Sequence, residues 1–346
     1  MRVLLLADVD LSLPGGLETH VRELGTRLIA RGHAVEIYRR SGGTLGVALA
    51  ATVVDRVEVE RYDVIHYQGG RWPRGLDPGP RHVRTLHFCV AAKMETYVRR
   101  GRLQTLANAG NWRAVTEERH GCRRHGRMIA VAERVRRDFA RWHGFDPGRA
   151  CVIPNGVGFD PPRDDRASVR RRFGIPDDAR VLLTIGRDDF VKGYDLLARA
   201  WARAGLAARG AIWVTVGGAA PVRAPGRLVT GPLPHQEVVD WIQAADIGAL
   251  PSYYEGCSVA LLEMLAGGLY ALSHDVGNAA EVICSEPIGR ILPATEAAWT
   301  ATLPQAMERQ PGPRTPALPP EFGWPSITDR TEAIYREVVA GAGARS

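Results

Sequence analysis

Two carboxylates stand eight positions apart in the stretch Tyr254-Glu255-Gly-Cys-Ser-Val-Ala-Leu-Leu-Glu263. A small-residue loop and an apolar helical run join them. Gly256, Cys257 and Ser258 are small enough to bring backbone N–H groups against a ligand. Ser258 fits the N-cap of the helix that follows, so the helix's positive end would face the same ligand. The arrangement suits an anionic, hydroxyl-rich molecule, with amides for phosphate and carboxylates accepting from sugar hydroxyls. The same letters also spell a solvated glutamate ahead of an ordinary amphipathic helix.

A basic pair points the same way. Of 45 basic side chains only Lys93 and Lys192 are lysines, a bias that reads as a GC-rich coding sequence. Lys192 lies in Leu183-Thr-Ile-Gly-Arg187-Asp-Asp-Phe-Val-Lys192-Gly193, where an apolar strand runs into Gly186. Arg187 and Lys192 then stand five residues apart, before a helix expected from Tyr194. A planar guanidinium fork and a mobile ammonium both suit a pyrophosphate. Two solvated cations on a surface loop are the alternative.

The elements that must position these groups follow from periodicity. A chain of 346 residues fits two domains, and 45% hydrophobic with 24% charged residues reads as soluble and globular. The first half alternates strand and helix: a strand at 2–7, a helix at 17–31, then strands at 34–38, 64–67, 83–87, 128–131 and 150–153. The second half repeats the rhythm with strands at 181–185, 212–216, 247–250 and 270–273, and helices at 194–204, 235–244 and 258–266. A proline-rich linker at 311–320 and a final helix at 326–339 close the chain. The pattern predicts an α/β fold of two doubly wound Rossmann-like domains facing across a cleft. Gly15-Gly16, His87, Gly186-Arg187, Gly217-Gly218 and Glu255 all fall at or just past strand ends, where open parallel sheets bind ligands.

Composition bounds the setting. The apolar start ends at Asp8, too short for a membrane span or signal core. Five scattered cysteines with no C-x-x-C pair favour reduced thiols in a cytoplasm. The net charge of +7 is concentrated between Lys93 and Arg149, which holds fourteen Lys/Arg against six Asp/Glu. Such a patch can attract phospholipid headgroups, nucleic acid or an anionic acceptor. No aromatic-interleaved or helix-turn-helix pattern accompanies it, which leaves nucleic acid the weakest of the three.

Taken in order along the chain, these segments resemble the retaining, GT-B-fold glycosyltransferases of family 4. Gly15-Gly16 is similar to that family's glycine-rich loop, Asp63-Val-Ile-His66 to a strand signature, and Thr85-Leu-His87 to its strand-end histidine. Ile153-Pro-Asn-Gly156-Val is similar to its domain-linking segment, Gly186-Arg187 with Lys192 to its phosphate pair, and Phe322-Gly-Trp324 with Tyr335 to its closing helix. The resemblance implies a bacterial, cytoplasmic transferase of the hexosyltransferase type. It implies an acceptor-binding domain at 1–157, a nucleotide-sugar-binding domain at 158–320, and a C-terminal helix at 321–346 packing back on the first domain. Arg187 and Lys192 would neutralise the diphosphate, in place of a metal or other cofactor. Glu263 would bind the ribose diol and Glu255 the sugar hydroxyls. The amides of Cys257, Ser258, Val259 and Ala260 would complete the anion site. His87 would touch the transferred sugar, and Gly15, Gly16, Gly186, Gly217 and Gly256 would let backbone approach the donor. The acceptor would be a small molecule, a glycan or a lipid-linked compound, with the inner face of an anionic membrane as an added partner.

Asp8-Val-Asp10 has the form of a metal motif from the other large glycosyltransferase fold, but it leaves a strand ahead of a glycine loop, so Asp10 is read as an acceptor contact. His120, Cys122, His125 and His143 fit no common zinc spacing. Trp112, Trp142, Trp201 and Trp241 read as packing residues. Ala132, Gly158, Tyr270 and Asn278 depart from the family's usual serine, acid, proline and second glycine. An epimerase or phosphorylase on the same fold, or a silent nucleotide-sugar-binding partner, are the competing expectations.

Overall fold

The computed structural model describes residues 1–7, 9–12, 15–39, 49–69, 76, 79–124, 127–158, 160–310 and 314–343. The chain divides into two compact units, residues 1–156 with 321–346, and residues 157–320.

The first unit runs β1 (Arg2–Ala7), α1 (Gly16–Ala30), β2 (Ala34–Tyr38), β3 (Thr52–Val54), β4 (Val64–Gly69), β5 (His82–Leu86), α2 (Val90–Arg99), α3 (Ala109–Arg124), β6 (Arg127–Ala130), α4 (Glu133–His143) and β7 (Ala150–Val152). Its seven strands form a parallel sheet in the order β3-β2-β1-β4-β5-β6-β7. Residues 3–7 are wholly buried, as expected where helices cover both faces of a sheet.

The second unit runs α5 (Arg166–Arg172), β8 (Val181–Gly186), α6 (Tyr194–Arg203), β9 (Ile212–Ala224), β10 (Arg227–Gly231), α7 (His235–Ala244), β11 (Ile247–Leu250), α8 (Val259–Ala266), β12 (Ala271–His274), α9 (Ala279–Val282), β13 (Gly289–Leu292) and α10 (Glu296–Glu308). Its sheet order is β10-β9-β8-β11-β12-β13. The chain then returns to the first unit as α11 (Trp324–Gly343). Trp324, Ile327, Tyr335 and Val338 of α11 join the cluster that contains Val3, Leu5, Leu24 and Ile37. Each such side chain contributes about 1.5–3 kcal/mol on full burial.

Both sheets reverse their strand order once, between β1 and β4 in the first unit and between β8 and β11 in the second. The crevice outside the carboxyl ends at such a switch point is where open α/β sheets hold ligands. Polar anchors pin the frame. In the first unit the buried His66 joins Tyr335 Oη and Thr85 Oγ1, each at 2.7 Å, tying β4 to β5 and α11. In the second, Asp246 accepts from Arg166, Arg170 and Arg180 at 2.7–2.9 Å and from the Val181 amide, fixing α5 to the sheet.

Candidate active site

The basic loop and the two-glutamate loop meet at the β8–β11 switch point. β8 delivers Gly186 and Arg187, and a single 3-10 turn, Phe190–Lys192, presents the lysine. Asp189 caps that turn by accepting from the Val191 amide. Gly193 follows at φ 67°, and a Cβ there would collide with the Pro251 carbonyl, so only glycine lets the β8 loop lie against the β11 loop. The consequence is a direct pair: Lys192 Nζ donates to Glu255 Oε1 at 2.8 Å, with side-chain exposures of 21% and 14%. Ser252 Oγ donates to the same carboxylate oxygen at 2.7 Å. Arg187 is exposed, and its guanidinium makes no hydrogen bond or ion pair with any described residue.

Past Glu255, Ser258 is the N-cap of α8, its Oγ accepting from the Leu261 amide at 3.3 Å. One expectation needs correcting. The Ser258 amide is not available to an anion, because it donates to Asn278 Oδ1 at 3.0 Å. The first-turn amides of Val259 and Ala260 have no partner among the described residues. Gly186 and Gly217 stand at neighbouring registers of β8 and β9. β9 does not end at Val216 as its apolar run suggests. It continues through Gly217 to Ala224, and β10 is registered with both Trp213–Thr215 and Val222–Ala224.

Glu263 sits one helical turn past Val259, on the wall of a cavity of ≈ 180 Å³ shared with Asp160, His235, Val239 and Arg314. Its side chain keeps 12% exposure, and burial pushes its pKa up to about 7. His235 Nδ1 lies 3.4 Å from the carboxylate, and the same ring's Nε2 lies 3.9 Å from Asp160.

In the first unit, His87 leaves β5 with its Nε2 at 2.9 Å from Gln68 Oε1. The His20 ring packs edge-on at 5.0 Å between centroids. Burial, then the neighbouring His20 and His66, drive the His87 pKa well below its ordinary value, and burial takes His20 to about 4. Both rings are therefore neutral hydrogen-bonding groups near neutral pH. Gly15 is the extended N-cap of α1 and Gly16 its first residue. Asp10 is exposed and accepts from the amide and hydroxyl of Ser12 at 3.0 and 2.7 Å, bonds that lower its pKa. Asp8 and His125 lie outside the described residues.

Sequence reasoning missed Ser252, His235, Gln68, His20 and Asn278 as site residues. Gln68 carried a signal, because its spacing of two from His66 puts both on one strand face. Trp201 and Trp241 are buried, but Trp112 and Trp142 are 51% and 41% exposed and do not pack in a core. Among the described residues one group has metal-ligand character, Cys89, Glu118 and His143. Glu118 caps the start of α2 through the Val90 amide at 3.0 Å and meets His143 Nε2 at 3.1 Å, so it is accounted for as a buried polar anchor.

Two doubly wound parallel units of this order, with polar groups gathered at strand ends, define the GT-B class of α/β protein. Sucrose-phosphate synthase from Thermosynechococcus elongatus superposes over 98% of this chain and 99% of its own, with a TM-score of 0.73 at 19% identity. HepE from Anabaena, solved in complex with UDP and glucose, covers 97% and 100% with a TM-score of 0.72 at 14% identity. The family model for glycosyl transferases group 1 matches residues 179–308, and that for glycosyltransferase family 4 matches residues 39–160. The chain belongs to this family, the group 1, family 4 glycosyltransferases. D-inositol 3-phosphate glycosyltransferase from Kineococcus radiotolerans is 29% identical over 63% of this chain, a stretch that spans 58% of that relative. A Catenulispora acidiphila protein of the same name, numbered 1, is 26% identical over 96% of this chain and 93% of its own length.

Proposed function

We propose that this chain is a retaining, metal-independent glycosyltransferase that moves a hexosyl group from a nucleotide-diphosphate sugar to an acceptor hydroxyl. The observation that carries this reading is the Lys192–Glu255–Ser252 cluster beside the exposed Arg187, at the β8–β11 switch point. Arg187 and Lys192 supply the positive charge that a diphosphate leaving group needs as its bond to the sugar breaks. Val259 and Ala260 offer free amides at the positive end of α8. Glu263 accepts from the ribose diol and Glu255 from the sugar. In the first unit, neutral His87 serves as a hydrogen-bonding contact and Asp10 as an acceptor contact.

The chemical step we favour is a same-face displacement. The acceptor oxygen bonds to the anomeric carbon as the bond to the phosphate oxygen breaks, and the acceptor's proton passes to that departing oxygen. Glu255 is assigned to the sugar hydroxyls and not to covalent attack, with Lys192 and Ser252 both holding its Oε1. The complex of HepE with UDP and glucose supports a nucleotide-sugar donor for this fold. The five cysteines are free thiols, in keeping with a cytoplasmic setting.

A thermal-shift and hydrolysis screen with uridine, guanosine and thymidine diphosphate sugars tests the reading, with the product's anomer assigned by NMR. Donor converted to an epimeric sugar without any acceptor would favour an epimerase. Binding without turnover would favour a silent partner.

We also infer that the first unit adsorbs to anionic membrane. From Thr96 to Arg113 the chain carries four arginines and no acidic residue. Leu103 and Leu106, three apart on a 3-10 turn and so on one face, are 61% and 44% exposed. The exposed Trp112 joins them, its Nε1 donating to the Leu106 carbonyl at 2.7 Å. Apolar side chains flanked by arginines suit headgroups with acyl chains beneath.

A further inference from the structure

Asn278 is fully buried, and its side-chain oxygen accepts the Ser258 amide at 3.0 Å, which fixes which end of the amide is oxygen. The other end, Nδ2, is buried and has no partner among the described residues. The position makes this unusual. Asn278 is the N-cap residue of α9, and its carbonyl accepts from Glu281 and Val282, yet its side chain does not cap that helix. It reaches instead to a loop twenty residues earlier in the chain. Gly277 explains the reach: it sits at φ 53°, and a Cβ there would come within 2.6 Å of the Gly256 carbonyl and 3.1 Å of Glu255 Cβ. The 277–278 segment is thus pressed against the Glu255–Gly256 loop.

We propose that Asn278 is a donor-binding residue, its Nδ2 hydrogen-bonding a diphosphate oxygen held at the start of α8. The inference rests on the donor-site reading above and deepens it. A buried amide nitrogen without an acceptor is costly, and an anion's oxygen removes that cost. The two ends of a side-chain amide lie about 2.3 Å apart, so Nδ2 cannot be far from the helix end that its oxygen touches. Asn278 takes the Ser258 amide out of the anion site and offers a side-chain N–H in its place. Together with the Val259 and Ala260 amides, that makes three donors around one anion.

The test is Asn278→Asp, which keeps the oxygen that accepts from Ser258 but turns the donor into an acceptor. Affinities of UDP, GDP and TDP are measured by calorimetry on the full chain, beside melting temperatures without ligand. The expected result is at least about tenfold weaker binding of whichever diphosphate the wild type takes. The melting temperature without ligand should fall, because a fully buried carboxylate costs more than the start of α8 returns, and that loss is read separately from affinity. Equal affinity in the two proteins would overturn the assignment and leave Asn278 a cap for Ser258. Should Asn278→Asp fail to fold, Asn278→Ala decides by the same criterion, with wild-type affinity refuting the proposal and a loss supporting it. A wild type that binds none of the three diphosphates would sink the donor-site reading itself, and the role of Asn278 with it.

Discussion

Glu263 gives the most exposed prediction, because its titration falls inside the working pH range. Burial holds its pKa at about 7, so the unliganded carboxyl is substantially protonated at neutral pH. Ribose hydroxyls donating to Glu263 need the ionised form, and binding must then expel a proton. From about pH 6 to about pH 8 the ionised fraction rises from roughly 0.1 to roughly 0.9, worth about tenfold in affinity or 1.4 kcal/mol. Nucleoside diphosphate affinity should therefore rise through this window and level off above it. The same shift acts on folding with the opposite sense. A carboxyl whose folded pKa is raised has no effect on stability below its unfolded value, and costs progressively more as pH climbs toward the folded value. The unliganded protein should lose up to about 3 kcal/mol from this group between about pH 4.5 and about pH 7. Calorimetry at several pH values, in buffers of different ionisation heat, measures both affinity and proton release. The ligand's terminal phosphate titrates in the same window, at about 6, and His235 faces the carboxyl with Asp160 beyond it. Comparison with Glu263→Gln subtracts them. An identical pH profile in wild type and Glu263→Gln would refute the role.

The remaining predictions test the other parts of the site. Lys192→Ala should lower turnover by about 10²–10³, since it removes charge stabilisation and leaves Glu255 unpaired beside the diphosphate; Arg187→Ala should weaken diphosphate binding as well. Near-normal turnover in both would remove the phosphate assignment. Activity should survive excess EDTA, whereas loss restored by Mn²⁺ or Mg²⁺ would promote Asp8 and Asp10 to metal ligands. Tyr335→Phe deletes one partner of the buried His66 and should cost about 1–3 kcal/mol in chemical denaturation, with no change expected in diphosphate affinity. Sedimentation with anionic vesicles at low salt should be lost at high salt and with neutral vesicles. Replacing Leu103, Leu106 and Trp112 by serine should weaken it further, and no binding by the wild type at low salt would favour a soluble acceptor.

What could be read from the sequence, and what could not, divides by the range over which each feature is encoded. The strands of both sheets were legible where an apolar run is continuous and stops at a glycine or a proline, as in 181–186 and 247–250. β3 was not, because three partly exposed residues make no pattern, and β9 was cut short because Gly-Gly-Ala-Ala-Pro reads as a turn. Arg170 shows the limit of residue type: an arginine is a surface group until Asp246, 76 positions on, buries it. At the site, Glu255, Glu263, Arg187 and Lys192 stood out because each motif lies within a dozen residues. Their pairing did not, because the Lys192–Glu255 contact spans 63 positions and exists only where β8 and β11 adjoin at the strand-order reversal. That contact changes the chemistry the letters suggest. With Glu255 neutralising Lys192 in the unliganded protein, Arg187 is the cation first available to an arriving diphosphate, and the lysine must exchange a carboxylate for phosphate. Glu255→Gln should thus tighten diphosphate binding even as it impairs transfer, an opposed pair of effects that binding and turnover assays read separately. Weaker diphosphate binding in Glu255→Gln would mean that the carboxylate positions the lysine for phosphate instead of competing for it.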